Sequence, residues 1–184
     1  MSTKPRQTVD QGLQSGSSFA NTPLEQIRTV YAAFVQGLFR SAPPGYRWSP
    51  SEESTEILIT DENPVHLSVL GQRPGVSFTR GPVQTTNLGI DDMAGYDFRT
   101  GAKRKSILIS GVMSINCMSR VDIESEQIAW VISEQLWMNR LLMMQCGFYD
   151  VGRSRGVGAP SPAGTLGEGD GGHEVYATVV SSPI

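Results

Sequence analysis

The sequence predicts an α+β fold: a single domain in which two helices pack on one face of a mostly antiparallel sheet. Two segments, 22–40 and 123–146, have apolar residues at helical spacing, and the other apolar stretches are short and alternate with polar residues. The order of helix, strands, helix and strands lacks the regular alternation of strand and helix that is typical of a parallel sheet. The 184 residues are enough for one core of ordinary size.

The chain divides into a polar arm and the domain. Residues 1–21 are rich in Ser, Gln and Gly, so we expect an extended N-terminal arm that is disordered in isolation. The α+β domain then spans residues 22–184. Thr22 is the predicted N-cap of the first helix, Pro23 suits the first helical position, and Glu25 completes a capping box. The helix should end where two consecutive prolines follow it.

Two short strands are expected after this helix, at 56–60 and 74–80. The second lies within the sequence GQRPGVSFTRG. Alternation places Val76 and Phe78 on its buried face, and Gly81-Pro82 should end it.

The strongest strand pattern is at 106–119, after a long polar connection at 81–104. Its apolar residues approximate a period of two, and Gly111 marks a bulge or a close approach of backbone. A Gly/Pro-rich loop at 152–172 is expected before the last strand, 173–184.

The second helix is expected at 123–146, with Asp122 or Ser119 as its cap and Gly147 as its stop. Its predicted buried stripe consists of Ile128, Ala129, Val131, Ile132, Leu136, Leu142 and Met143.

The apolar side chains of this helix exceed what one buried face can hold, so some should remain exposed. Exposed surface of this kind usually marks a protein partner, although a deeply buried helix has the same composition. The set in question is Trp130, Val131, Trp137, Met138, Leu141 and Met144.

Charge and cysteine content restrict the class of protein. The net charge of −3 argues against a protein that grips nucleic acid over its whole surface. Cys117 and Cys146 are expected to be buried free thiols, which suits a reducing cytoplasm. No apolar run is long enough to span a bilayer, so we expect a soluble protein without a membrane partner.

The patterns that would indicate an enzyme are weak. The glycine-rich segment 152–172 contains no lysine and precedes a strand, so it does not match a phosphate-binding loop. Cys117 with His66 or His173 would need a lowered thiol pKa, and Asp91-Asp92 lacks a third ligand at a defined spacing. No catalytic residue, cofactor or metal is therefore expected.

A basic run precedes the central strand, with Arg99, Lys103, Arg104 and Lys105. One interpretation is contact with phosphate or with an acidic partner, and the other is a solvated turn ahead of an edge strand.

Three motifs occur in an order that resembles the neck and tail-completion proteins of tailed bacteriophages, especially the tail terminators. The first, RPGVSFTRG, carries the arginine pair of that pattern, Arg73 and Arg80. The resemblance covers roughly residues 22–152. In its other two motifs the matching residues are Ser119, Glu124, Glu126, Ile128 and Ala129, and then Gly147, Phe148, Val151 and Gly152.

The resemblance implies a non-enzymatic virion structural protein that is made in the host cytoplasm. It implies a homo-oligomeric ring of six copies that caps the tail tube and docks onto the head connector or stopper protein. Double-stranded DNA would pass through the lumen, and a mildly acidic protein would not hold it. The alternatives are a connector-side neck protein, that is a stopper or adaptor, and a small cytoplasmic enzyme.

Arg73 and Arg80 are too far apart along an extended strand to clamp one small anion, at roughly 3.3 Å per residue. We therefore expect two separate anchors, for carboxylates of a neighbouring subunit or for DNA at a ring surface.

Overall fold

The computed structural model describes residues 23–51, 53–60, 73–87, 95–96, 103–104, 107–148, 156–166 and 173–184. The predicted α+β class is confirmed. In chain order the elements are α1 (Pro23–Phe39), β1 (Leu58–Thr60), β2 (Gly75–Asn87), β3 (Gly95–Tyr96), β4 (Lys103–Arg104), β5 (Ile107–Ser119), α2 (Asp122–Met138), α3 (Arg140–Gln145), β6 (Gly156–Val157), β7 (Ser161–Leu166) and β8 (His173–Pro183).

Six strands form one mixed sheet in the order β1-β2-β5-β8-β6, with β7 also paired to β8. β1 is parallel to β2, and the other pairings of this sheet are antiparallel. β1 joins the sheet at its start, where the Leu58 N–H donates to the Pro74 carbonyl at 2.9 Å. β3 and β4 pair with each other. The predicted arm, residues 1–21, and the predicted cap Thr22 lie outside the described residues.

Both long helices cover the same face of the sheet, as predicted. The hydroxyls of Tyr31 on α1 and Ser182 on β8 lie 3.0 Å apart, and those of Ser125 on α2 and Thr178 on β8 lie 2.9 Å apart. Residues four apart on a strand point to the same side. The core therefore lies between this face and the two helices.

The core follows the alternation that the sequence indicates. Val76 and Phe78 are fully buried, as expected. The ring of Tyr31 packs edge to face against Phe148, with centroids 5.5 Å apart. Further buried members of this cluster are Val35, Phe39, Ile57, Met113, Ile115, Cys117, Ile128, Ala129, Ile132, Leu136, Met143 and Val180.

β2 does not end at Gly81-Pro82, contrary to the prediction. It continues to Asn87, and its pairing with β5 shifts between Arg80 and Val83. A bulge of this kind takes a proline because one residue of the bulged strand is left out of the ladder. Gly111 lies opposite, where a Cβ atom would come within 2.9 Å of Val83 Cγ1. The predicted close approach at Gly111 is confirmed.

Two segments that were expected to be irregular contain further strands. The expected connection at 81–104 includes the second half of β2 as well as β3 and β4. The expected loop at 152–172 includes β6 and β7, which both pair with β8. Both segments lack a clear period-two apolar pattern, so no local signal indicated these strands.

The second helix is interrupted at Asn139. Its backbone N–H and its side-chain amide both donate to the Gln135 carbonyl at 2.9 Å, so the side chain competes with the helical bonding pattern. The chain resumes as α3 and stops at Gly147, as predicted, where φ is +98°. The Phe148 N–H donates to the Met143 carbonyl at 3.2 Å, which closes the last turn.

The start of α2 differs from the prediction. The N-cap is Val121, and neither Asp122 nor Ser119 occupies that position. Both side chains still bond near it: the Val121 N–H donates to Ser119 Oγ at 3.2 Å, and the Ile123 N–H to Asp122 Oδ1 at 2.7 Å. Among the described residues, no helix is long and apolar enough to cross a membrane.

Candidate interaction surface

The helices α2 and α3 carry large apolar side chains that point away from the sheet. Trp130 is 61% exposed and Trp137 is 48% exposed, while Ile132 and Leu136 of the same helix are buried. We call this surface the outer apolar face. It comprises Ile123, Trp130, Val131, Trp137, Met138, Leu141, Leu142 and Met144.

The spacing of the α2 residues explains why they lie on one side of that helix. Ile123, Trp130 and Trp137 are seven apart, and residues seven apart drift by only about 20° around a helix. Val131 and Met138, also seven apart, form a second line beside them. A surface helix normally presents a polar side to water. Helix α2 is apolar on two opposite sides instead.

The predicted surplus of apolar side chains is confirmed, since all six residues named for it are exposed. The predicted buried stripe was wrong at two positions, because Val131 and Leu142 are exposed. Both lie within the apolar periodicity of the helix, and periodicity alone cannot decide which apolar line meets the sheet.

The outer apolar face contains eight large apolar side chains, each between 40% and 65% exposed. Aromatic side chains present roughly 150–250 Å² each, so the two tryptophans alone leave on the order of 200 Å² of apolar surface in water. The six aliphatic and methionine side chains add to this area. The largest apolar patch on a typical monomer is about 300–600 Å². One partner contributes about 800 Å² to a protein–protein interface of standard size.

An apolar groove of about 350 Å³ adjoins this face. One wall is the end of α1 and the loop after it, and the other is the first half of α2. Val131 belongs to both the groove and the outer apolar face. The lining residues are Leu38, Phe39, Ala42, Pro43, Tyr46, Gln127, Ile128 and Val131.

Hydrogen bonds fix the loop that forms the groove wall. The Tyr46 hydroxyl donates to Glu124 Oε1 at 2.9 Å, which ties the loop to the start of α2. Ser119 Oγ donates to the other carboxylate oxygen of Glu124. The Trp48 N–H donates to the Phe39 carbonyl at 3.0 Å. The hydrogen bond to Glu124 raises the pKa of Tyr46. Glu124 therefore has a structural role, since its carboxylate accepts the hydrogen bonds from both Tyr46 and Ser119.

The charged residues around the outer apolar face are few and mainly acidic. Glu126 and Glu134 on α2 and Arg140 on α3 are exposed. Glu134 follows Trp130 by four residues and precedes Trp137 by three, so it lies between the two indoles on the helix surface.

The arginine pair of the first motif is divided between two environments. Arg73 precedes β2, and its Nη1 donates to the Thr55 carbonyl at 3.2 Å. Arg80 lies inside β2 opposite the fully buried Met113, so it points to the side that carries the helices. Its Nη1 is buried without a hydrogen-bond partner among the described residues. The structure does not bring the two guanidinium groups to one site.

The basic run is only partly described. Lys103 and Arg104 form β4, which pairs with Gly95 and Tyr96 of β3. Arg99 and Lys105, and the side chains of the run, lie outside the described residues.

The residues considered for enzyme chemistry are not brought together in the described part of the chain. Cys117 is fully buried, and burial raises the pKa of its thiol, which disfavours the reactive thiolate. His173 begins β8. His66 and Asp91-Asp92 lie outside the described residues. In the described residues, no group of three His, Cys, Asp or Glu side chains is placed to hold a metal ion.

Sequence reasoning missed the groove and part of the outer apolar face. Ala42 and Tyr46 line the groove from a proline-rich loop, and apolar residues in such a loop were the available signal. Ile123 was missed because it lies at the predicted start of the helix, although it is seven residues before Trp130. Cys146, the C-cap of α3, was expected to be buried and is exposed.

Comparison of the chain with protein-family models, with curated proteins and with solved structures gives no match in any of the three.

Proposed function

We propose that this chain is a non-enzymatic structural protein of a tailed bacteriophage, and that it forms a homo-oligomeric ring of six copies at the head–tail junction. The ring caps the tail tube, joins it to the head connector or stopper protein, and lets double-stranded DNA pass through its lumen. The order of the three motifs within residues 22–152, which resembles the tail terminators, supports this function.

The outer apolar face is the observation that carries the proposal. Eight large apolar side chains are exposed together on α2 and α3, and exposed apolar surface of this kind is suited to stable protein contact. A protein that joins two assemblies needs such surfaces, whereas an enzyme needs a site of converging polar groups. The exposed apolar residues of α2 and α3 are a surface of the first kind, which supports a role in assembly.

The overall charge is compatible with DNA passage. Lysine and arginine side chains that neutralise phosphates hold DNA by releasing its counterions. A chain with a net charge of −3 has no excess of such groups, and Arg73 is engaged with the Thr55 carbonyl. DNA can therefore move past the ring without being retained.

The test is to locate the chain in purified particles. We expect an affinity label on the chain to appear by electron microscopy at the head–tail junction. It should remain on isolated tails, because a terminator belongs to the tail. Label at the tail tip, on the capsid surface or absent from particles would contradict the proposal. Label on tail-less heads alone would indicate a connector-side stopper or adaptor.

A pair of variants connects this test to the outer apolar face. Trp137→Glu places a charge on the face, and Ala33→Glu places the same charge on an exposed position of α1. We expect the first variant to be lost from particles and the second to be retained. Equal incorporation of both variants would show that the outer apolar face is not needed for assembly into particles.

A further inference from the structure

The outer apolar face has one end beside the groove and a far end at the junction of α2 and α3. Met138, Leu141 and Leu142 lie at the far end and are each more than half exposed; we call them the knob. The groove lies beside the first half of α2. Val131 in the groove and Met138 in the knob are seven residues apart on one helix, about 10 Å along its axis. The knob therefore cannot enter the groove of its own copy.

The sizes of knob and groove match. A cavity of 150 Å³ holds one benzene ring, so a groove of about 350 Å³ holds roughly two side chains of that size. Met138 and Leu141 are two such side chains. Both surfaces are apolar, so their contact removes apolar area from water on both sides.

The position of Glu134 argues against a two-fold arrangement. An antiparallel pairing of two α2 helices centred on Trp130 and Trp137 would bring the two Glu134 carboxylates together between four indoles. Like charges taken out of water repel each other and also lose their hydration. A contact displaced along the helix leaves Glu134 at its rim, where water still reaches it.

We propose that the outer apolar face binds a second copy of this chain head to tail, with the knob of one copy in the groove of the next. Such a contact joins two different patches, so it repeats from copy to copy and closes into a ring when the rotation allows. The inference deepens the proposed function by naming the surfaces that meet, and it rests on self-association alone, not on a location at the head–tail junction.

Disulfide cross-linking tests the contact in the full-length protein. In a Cys146→Ser background, Ala42→Cys marks the groove and Met138→Cys marks the knob, while Cys117 stays buried. Two cysteines link only when their Cα atoms come within about 7 Å. We expect the chain with both cysteines to give a ladder of covalent multimers after mild oxidation, and a mixture of the two single variants to give covalent dimers only.

Other outcomes overturn the inference. A chain with both cysteines that stops at the dimer would indicate a two-fold contact, as would efficient dimers from the Met138→Cys chain alone. If the chain with both cysteines gives no more cross-linked product than the single variants do, the proposed contact does not form.

Charge variants give an independent measurement by native mass spectrometry. Val131→Glu blocks the groove and Leu141→Glu blocks the knob, and both positions are exposed, so neither substitution buries a charge in the core. We expect each variant alone to be monomeric and an equal mixture to form complexes of two copies. A mixture that stays monomeric would contradict the inference. If the protein gives the cross-linking ladder but is absent from the head–tail junction, this inference is supported and the proposed function is contradicted.

Discussion

The hydroxyl oxygens of Tyr31 and Ser182 lie 3.0 Å apart and join α1 to the last strand of the sheet. Burial raises the pKa of Tyr31 to about 12, against a smaller opposite effect of the hydrogen bond to Ser182. The phenol therefore stays neutral in the folded protein at pH values where it ionises in the unfolded chain.

This difference predicts how the free energy of unfolding depends on alkaline pH. The folded pKa is raised above the unfolded value, so the contribution of Tyr31 is fully present below pH 10 and is lost as the pH rises to about 12. A shift of two units corresponds to about 3 kcal/mol. In Tyr31→Phe we expect the free energy of unfolding not to show this decrease between pH 10 and about pH 12. At neutral pH the variant should be less stable by about 1 kcal/mol, because it lacks the hydrogen bond.

Urea unfolding at a series of pH values measures this effect. Burial also raises the pKa of Cys117, but that thiol is present in both proteins, so the difference between them isolates Tyr31. Parallel pH curves for the two proteins would contradict the prediction.

Gly111 should not tolerate a side chain. A Cβ atom there would lie 2.9 Å from Val83 Cγ1 and 3.0 Å from the Pro82 carbonyl oxygen, and the backbone oxygen cannot rotate away. We predict that Gly111→Ala lowers the free energy of unfolding by about 1–3 kcal/mol. The matched control is Gly37→Ala in α1, where a Cβ atom meets nothing within 4 Å and should stabilise the helix by about 1 kcal/mol. A loss of stability in both variants would point to a cause other than the bulge.

Gly147 should be needed for its backbone conformation. Its φ of +98° is in a region that side chains other than asparagine and aspartate rarely adopt, although a Cβ atom there would contact nothing within 4 Å. Gly147→Ala should therefore cost about 1–2 kcal/mol in thermal or chemical unfolding, and Gly147→Asn less. Equal costs for the two variants would exclude backbone strain as the cause.

The two cysteines should differ in reactivity. Cys146 is exposed, while Cys117 is buried with a raised pKa. We predict that a thiol reagent labels one cysteine per chain in the native protein and two after unfolding, as counted by mass spectrometry. Cys146→Ser should abolish the native label. Rapid native labelling of Cys117 would mean that the core opens readily.

The sequence predicted the elements that have a strong periodicity. Val76 and Phe78 alternate clearly and are buried, and the glycines at 111 and 147 occupy the close approach and the helix end that were expected. In each case the local residue pattern carries the information, because alternation and glycine chemistry act over a few neighbouring residues.

The sequence did not predict features that depend on distant segments. Pro82 on its own predicts the end of a strand. In the fold β5 continues beside it, and a bulge between Arg80 and Val83 accommodates the proline. Val131 and Leu142 follow the helical apolar pattern, yet only the sheet decides which side of the helix is covered. The groove combines α1 with α2, which are more than 80 residues apart, so no local pattern reveals it.

A density map of the head–tail junction tests the central claim most directly, because symmetry and position appear in one measurement. The proposal predicts a closed ring of this chain between tail tube and head connector, with the knob of each copy buried in the groove of the next. A junction without this chain, or a ring in which the outer apolar face of α2 and α3 remains in water, would contradict it.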